Sequence, residues 1–546
     1  MKNGENGSAR RLTRRETIVA GGIGAAAIGG VAIDRLGSDD APQLTARQEE
    51  ALALRTESAR ADIVRPAPDQ PSNGDEARYP DRFGNHSKGL PHDTHGRVEP
   101  AAYEALVAAI EDRAPFEDVP VAGGRRLVNP RAGRAFGLAG RDPQSFELGP
   151  PPAVSSPGLA ADLVELYWLA LARDVAFSRY AEDELTVAAV LDLSNREGFR
   201  GPSVGGRVDP GLLFRGSIPG QAEGPYVSQF LLTDIPAGAA AITQRYIVPI
   251  AGDDHATGLA EWLRIQRGFE PRRQQRMDPR HRYVRNARDL AEVVHRDYPY
   301  QIALGASLIL LQFGPDAVDP GNPYLDSSVE EGFTTLGGPQ AVDLVARVAY
   351  DALCACWHQK WFVHRTARPE EIAGRLDADL RRSSSSELHP SLLSSAVVER
   401  IAERQGGSVV LPQAYPEACP LHPSYPSGHA SFIGASVTVL KAFFDESFAL
   451  PDPVVASDDG TRLEPYAGPP LTVGAELDKL AANVALGRCS AGIHWRFDAE
   501  DGIRLGEEVA LAVLADVVGT LPEQDVSFTL RGFDGSPVTV TRDGLA

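Results

Sequence analysis

Apolar residues recur every three to four positions through much of the chain, the spacing that lays a stripe along one face of an α-helix. Ala160 to Phe177 sets Leu163, Leu166, Trp168 and Leu169 on recurrent turns. Tyr283 to Leu311, Ala341 to Trp361, Ala430 to Phe444, Leu477 to Leu486 and Ala499 to Val517 follow the same period. Strict alternation, the mark of a half-buried strand, is scarce. Val526 to Leu530 and Pro537 to Thr541, flanking Asp534-Gly535, predict a C-terminal β-hairpin. The pattern therefore predicts a mainly α fold of helical bundles with that short hairpin, and it shows no internal repeat.

The polar stretches divide the chain. Residues 37–72 are polar and acidic, with one surface helix expected over Thr45 to Ile63, and Pro66 to Pro91 reads as a long ordered loop. Residues 73–546 read as a single large helical domain. Ahead of them, Thr13-Arg14-Arg15-Glu16-Thr17-Ile18-Val19 precedes a weakly hydrophobic Gly/Ala run to Ile33. That pairing makes residues 1–36 a twin-arginine export signal or anchor and predicts an extracellular or cell-surface location. The apolar run Ile302 to Phe313 is only twelve residues long, too short to cross a bilayer.

At 546 residues, 43% hydrophobic and 23% charged, the chain has the composition of a globular protein with a large core. A net charge of −20 argues against nucleic acid or anionic membrane as a partner, since both call for a basic face. Only five of the basic residues are lysines. A high-salt habitat and a GC-rich genome would each produce that bias. The four cysteines, Cys354, Cys356, Cys419 and Cys489, are too few for a disulfide scaffold and form no CxxC zinc pair.

Three clusters in the last third concentrate groups that hold a tetrahedral oxyanion. Lys360-Trp-Phe-Val-His-Arg-Thr-Ala-Arg368-Pro369, closing a predicted helix, offers an ammonium and a guanidinium. Tyr425-Pro-Ser427-Gly428-His429-Ala-Ser431 brings a hydroxyl, an unobstructed backbone N–H and an imidazole to a helix N-terminus, whose dipole favours anions. Gly487-Arg488-Cys-Ser-Ala-Gly-Ile-His494-Trp-Arg-Phe-Asp498 adds a second guanidinium and imidazole. If that stretch is helical, Asp498 lies one turn from His494 and fixes its tautomer. Taken singly, the clusters are a solvated helix end, a capped turn and a surface pair. Nine further histidines (His86, His92, His95, His255, His281, His295, His358, His364 and His389) have no such constellation and read as structural.

Together and in this order the clusters resemble the triplet of the family that joins vanadium haloperoxidases with membrane-type acid phosphatases: Lys…Arg-Pro, Pro-Ser-Gly-His and Arg…His…Asp. Finer features resemble its algal bromoperoxidase-like branch. Seven residues separate Lys360 from Arg368, His422 stands seven before His429, and Trp357 stands three before Lys360. Asn73-Gly-Asp-Glu76, Ser87-Lys-Gly-Leu-Pro-His92, Leu163-Val-Glu-Leu-Tyr167, Gly224-Pro-Tyr-Val-Ser-Gln-Phe230 and Asn286-Ala-Arg-Asp-Leu-Ala-Glu292 are similar to that branch as well. The likeness spans about residues 70–540.

The resemblance implies a vanadate cofactor held by Lys360, Arg368, Ser427, Gly428 and Arg488, with His494 ligating vanadium. It makes His429 the acid–base residue and Lys360 the group that polarises the peroxide. His422 and Trp357 would line a halide pocket, and Asp498 would orient His494. It implies oxidation of bromide and iodide with hydrogen peroxide, small organic acceptors, and a homo-oligomer. It also puts a calcium loop near Tyr324 to Phe333, where Asp326, Glu330 and Glu331 offer carboxylates. Cys419 and Cys489 flank the site, so a disulfide between them and two buried free thiols both stay open. An acid phosphatase using His494 as nucleophile shares the same triplet, and a non-enzymatic oxyanion-binding protein would have no need of two histidines.

Overall fold

The structure, a computed structural model, describes residues 44–382, 387–523 and 526–545. The twin-arginine segment lies outside the described residues. The chain divides into two units, Met1–Val64 and Arg65–Ala546. The described part of the first is helix α1 (Ala46–Val64), none of whose residues is buried.

The second unit is mainly helical, as the periodicity predicts. Its longer helices are α2 (Pro100–Ile110), α3 (Pro157–Ala172), α4 (Glu184–Ser194), α5 (Leu259–Gln266), α6 (Ala287–Val293), α7 (Gln301–Gln312), α8 (Gly338–His358), α9 (Pro369–Leu380), α10 (Ala396–Arg404), α11 (Gly428–Phe443), α12 (Val473–Ser490) and α13 (Arg496–Thr520). Among the described residues no helix is long and apolar enough to cross a membrane.

At the centre α8, α11, α12 and α13 pack against one another. Every residue of α11 except His429 is buried, so this helix is core on all sides. Ser427 starts it as N-cap, its Oγ accepting the Ala430 N–H, and Thr472 caps α12 in the same way. Helix α13 crosses α11 at glycines. A Cβ on Gly434 would lie 2.4 Å from the Ile503 carbonyl oxygen, and one on Gly506 2.2 Å from that of Ser431. This approach lets the Ser427 N–H donate to the Asp498 carbonyl at 2.8 Å, tying the start of α11 to the start of α13.

Three sequence expectations are corrected. Tyr283 to Leu311 is two helices, α6 ending at Val293 and α7 starting at Gln301; just ahead of α7, Pro299 has no N–H to give and bars Tyr298 from helical geometry, and Tyr300 follows with φ +63°. The helix expected to end at Trp361 runs to His358 and continues as a wider π-helical turn, Gln359–His364. Gly487 to Asp498 is not one helix: α12 stops at Ser490, Gly492 turns the chain with φ +85°, and α13 begins at Arg496.

The sheets are small and antiparallel. β1 (Ile235–Ala237) pairs with β2 (Ala240–Ile242), and β3 (Val454–Ala456) with β4 (Leu463–Pro465). The expected C-terminal hairpin is β5 (Phe528–Arg531) with β6 (Pro537–Thr541), extended by a third strand, β7 (Gly544–Leu545). The proposed calcium carboxylates Asp326, Glu330 and Glu331 are exposed, and among the described residues no three His, Cys, Asp or Glu side chains gather as metal ligands.

The glycine crossing gives a direct test. Gly506→Ala should destabilise the protein by about 1–3 kcal/mol through overpacking. Gly149→Ala, where an added Cβ meets nothing within 4 Å, should change little. Thermal or denaturant unfolding compares the two; equal stability would show that α11 and α13 do not depend on this contact.

Candidate active site

Lys360 sits on the π-helical turn after α8 and is fully buried. Its ammonium donates to the Pro423 carbonyl at 2.8 Å and to that of Ser424, which leaves one proton uncommitted. Burial and the neighbouring guanidiniums of Arg368 and Arg488 press its pKa down to about 7.

Arg368 precedes α9 and is equally buried. Its Nε donates to the His422 carbonyl at 3.1 Å and its Nη1 to that of Ile493 at 2.8 Å. The Glu371 carboxylate accepts its backbone N–H at 2.9 Å. Glu371 also accepts from Ser87 N at 2.9 Å, Lys88 N at 3.1 Å and Gln266 Nε2 at 2.9 Å, and it meets His86 Nδ1 at 2.7 Å. Burial opposes ionisation of Glu371, but His86 and these N–H groups overcome it and hold the carboxyl well below the usual range. Arg488, in the last turn of α12, donates through Nη1 to the Val294 carbonyl, and its guanidinium lies 5.5 Å from the centre of the Tyr415 ring.

Two imidazoles face this cation group with different backing. His494 Nδ1 meets Asp498 Oδ2 at 2.6 Å, and Arg368 Nη1 lies 2.8 Å from Nε2. The carboxylate therefore fixes the proton on Nδ1 and leaves the Nε2 lone pair as the acceptor. The expected contact thus exists without the expected helix: Asp498 lies in the first turn of α13 and also accepts the Trp495 N–H at 3.1 Å and the Ser424 hydroxyl. Burial raises the Asp498 pKa to about 6, while burial, Arg368 and Lys360 hold that of His494 well below the ordinary imidazole value.

His429 begins α11, and its Nε2 lies 3.1 Å from Asp297 Oδ1. Burial and Arg488 lower its pKa against the opposing pull of Asp297. A neutral ring donating from Nε2 leaves Nδ1 free to accept a proton.

The two residues expected to line a halide pocket also meet. His422 packs against Trp357 with ring centres 4.9 Å apart, and Arg368 Nη2 lies 3.0 Å from its Nδ1. Gly428 makes room for that indole, since a Cβ there would be 3.2 Å from Trp357 Cζ3. All four cysteines are free and buried. Cys419 donates to Glu370 and Cys489 to the Trp495 carbonyl, so the pair form no disulfide.

Every sequence-predicted site residue thus lies in one neighbourhood, but sequence reasoning missed several supports. Asp297, Ser424, Glu371 and Tyr415 were not singled out. Among the histidines read as merely structural, His86 braces Glu371, and His295 stacks on Tyr415 at 3.7 Å. Pro299 was a usable signal for the break that frees Asp297; nothing linked Glu371 to Arg368 except three-residue spacing at a helix start.

The chain matches a family model described as the VCPO second helical-bundle domain over residues 341–521. A vanadium-dependent bromoperoxidase from Ascophyllum nodosum is 36% identical over 537 residues, covering 93% of this chain and 95% of the relative. One from Corallina officinalis is 31% identical over 598 residues, covering 92% and 99%. This chain belongs to the vanadium-dependent haloperoxidase family. It falls in the algal bromoperoxidase-like branch, and its fold agrees: the homohexameric structure of a second vanadate-dependent bromoperoxidase from A. nodosum superposes with a TM-score of 0.87, at 31% identity over 92% of each chain.

The residues fit the cofactor this haloperoxidase family implies. Among the described residues Lys360, Arg368 and Arg488 pair with no carboxylate, and the buried Arg488 Nε has no protein acceptor. Such a donor set suits a compact oxyanion, and His494 Nε2 supplies a neutral nitrogen for a metal centre.

Asp297 raises the pKa of His429, so Asp297→Asn should move the imidazole titration to lower pH. NMR titration of the anion-free protein measures it; an unchanged or higher midpoint would remove Asp297 from this role.

Proposed function

We propose that this protein is a vanadate-dependent haloperoxidase that oxidises bromide and iodide with hydrogen peroxide to hypohalous acid, which then halogenates small organic acceptors. The observation that carries the reading is the buried cation cradle with a tautomer-fixed imidazole on one side and a second, differently backed imidazole at the start of α11. The similarity to bromoperoxidases over nearly the whole chain supports it over a phosphatase. A homo-oligomer is part of the proposal, supported by the homohexameric relative. Export rests on the twin-arginine sequence.

Lys360, Arg368, Arg488, Ser427 and the Gly428 N–H would hold vanadate, with His494 Nε2 toward vanadium. When bound, vanadate supplies a Lewis acid that activates hydrogen peroxide toward halide. His429 Nδ1 takes a proton from the incoming peroxide, and Asp297 stabilises the resulting imidazolium. The uncommitted Lys360 proton polarises the peroxide oxygen that will leave as water. His422 and Trp357 shape the approach of the halide. With one further proton the sum is peroxide plus halide giving hypohalous acid plus water.

Orthovanadate added to metal-free protein should create bromide-dependent monochlorodimedone halogenation, and phosphate should suppress it by competing for the cradle. Activity that ignores both anions would refute the proposal. His422 places a polar ring where chloride would need a drier pocket, because chloride is harder to oxidise and more strongly hydrated. Bromide should therefore outpace chloride at matched concentration, and His422→Phe should narrow the gap. A parent enzyme oxidising chloride as fast as bromide would contradict that role.

A further inference from the structure

A second anion-seeking feature lies apart from the cradle. Helix α12 and the segment around residues 214–221 enclose a small void of about 20 Å³, lined in part by Phe177, Tyr180, Phe214, Arg215, Gln221 and Tyr226. Tyr180, Arg215 and Gln221 are 3%, 7% and 3% exposed. Tyr180 Oη, Arg215 Nε and Gln221 Nε2 are buried and have no hydrogen-bond partner among the described residues.

The remaining atoms of these side chains are committed. Gln221 Oε1 accepts the Ile218 N–H at 3.3 Å, which fixes the amide and leaves its NH₂ over. Arg215 Nη1 donates to the carbonyls of Gln221 at 3.2 Å and Glu223 at 3.4 Å, and Nη2 to that of Gly224 at 2.8 Å. Arg215 forms no ion pair among the described residues. Glu476, whose charge it senses, is already taken by Lys479 and by the Gln229 N–H at 2.8 Å. The Tyr226 ring lies 4.5 Å from the Arg215 guanidinium, but no carboxylate pairs with this buried charge, so an anion joining it would stabilise the site.

The guest must accept hydrogen bonds. The Arg215 Nε–H and the Gln221 amide nitrogen only donate; Tyr180 Oη alone could accept one. Water would have to place two protons of its own, whereas a monatomic anion accepts from all three orphaned donors and supplies a negative charge beside Arg215. The volume exceeds the roughly 10–15 Å³ that one water needs but leaves no space for a tetrahedral oxyanion. The Tyr180 ring meets Phe177, Phe214 and Tyr226 edge to face, which fixes its place in the wall of the void. Phe177, Tyr180, Arg215 and Tyr226 also line an open cleft of about 350 Å³, so these side chains stand between the void and the surface.

We propose that this void binds a halide, chloride or bromide, as a buried structural ion joining α12 to the Arg215 segment, separate from the vanadate cradle. Crystals of vanadate-loaded enzyme in bromide should show an anomalous bromine peak in the void, within hydrogen-bond distance of Arg215 Nε. In solution the melting temperature should rise saturably with bromide at constant ionic strength, gluconate making up the difference. Tyr180→Phe removes one donor, and Gln221→Glu places a carboxylate beside Arg215; each should lose more than half of that rise while halogenation continues at the parent rate. Density with no anomalous signal, or an equal rise in all three proteins, would overturn the proposal. A peak without any halide-dependent rise would mean binding at crystal concentration only and would overturn it equally.

Discussion

Three buried cations, Lys360, Arg368 and Arg488, share one pocket, and carbonyl oxygens rather than carboxylates hold them there. A carbonyl orients an N–H and offsets its desolvation without cancelling its charge, so the pocket keeps a net positive potential for a ligand to meet. Direct carboxylate partners would stabilise the empty protein and spoil the site. The nearest carboxylates are spent one step back: Glu371 on the Arg368 backbone N–H, Asp498 on His494 and Asp297 on His429. The fold's central task is to hold that arrangement rigid, and the glycine crossing of α11 and α13 does so by fixing Ser427 against Asp498.

The same architecture distinguishes two imidazoles that sequence alone presents as equals. His494 is buried and held through Nδ1, so the Nε2 lone pair is left facing the Arg368 guanidinium. His429 is the single residue of α11 that is only half-buried, and its carboxylate partner holds Nε2 instead. Opposite ring nitrogens are thereby left over, one suited to a metal centre and one to a travelling proton.

The helical class, most helix positions and the C-terminal hairpin were legible because long amphipathic or all-apolar runs leave few alternatives. The site was legible because its groups lie in three short clusters whose chemistry converges. What escaped depends on long-range contact or on local breaks. Asp297 reaches His429 across 132 positions, and His86 reaches Glu371 across 285; no local spacing encodes either. The His494–Asp498 contact was anticipated by helical spacing, yet it arises from a turn that places Asp498 in the first turn of a new helix, with the Gly492 φ of +85° as the deciding feature. Pro299 was readable as a helix break, but the apolar run after it masked the signal.

His494 is proposed as the protein group that reaches vanadium inside the cation cradle. X-ray absorption at the vanadium K-edge of vanadate-loaded protein tests this directly. One imidazole nitrogen should appear in the vanadium shell of the parent and of His429→Ala, and be absent from His494→Ala. An unchanged nitrogen shell in His494→Ala, or its loss in His429→Ala, would contradict the assignment of the two rings.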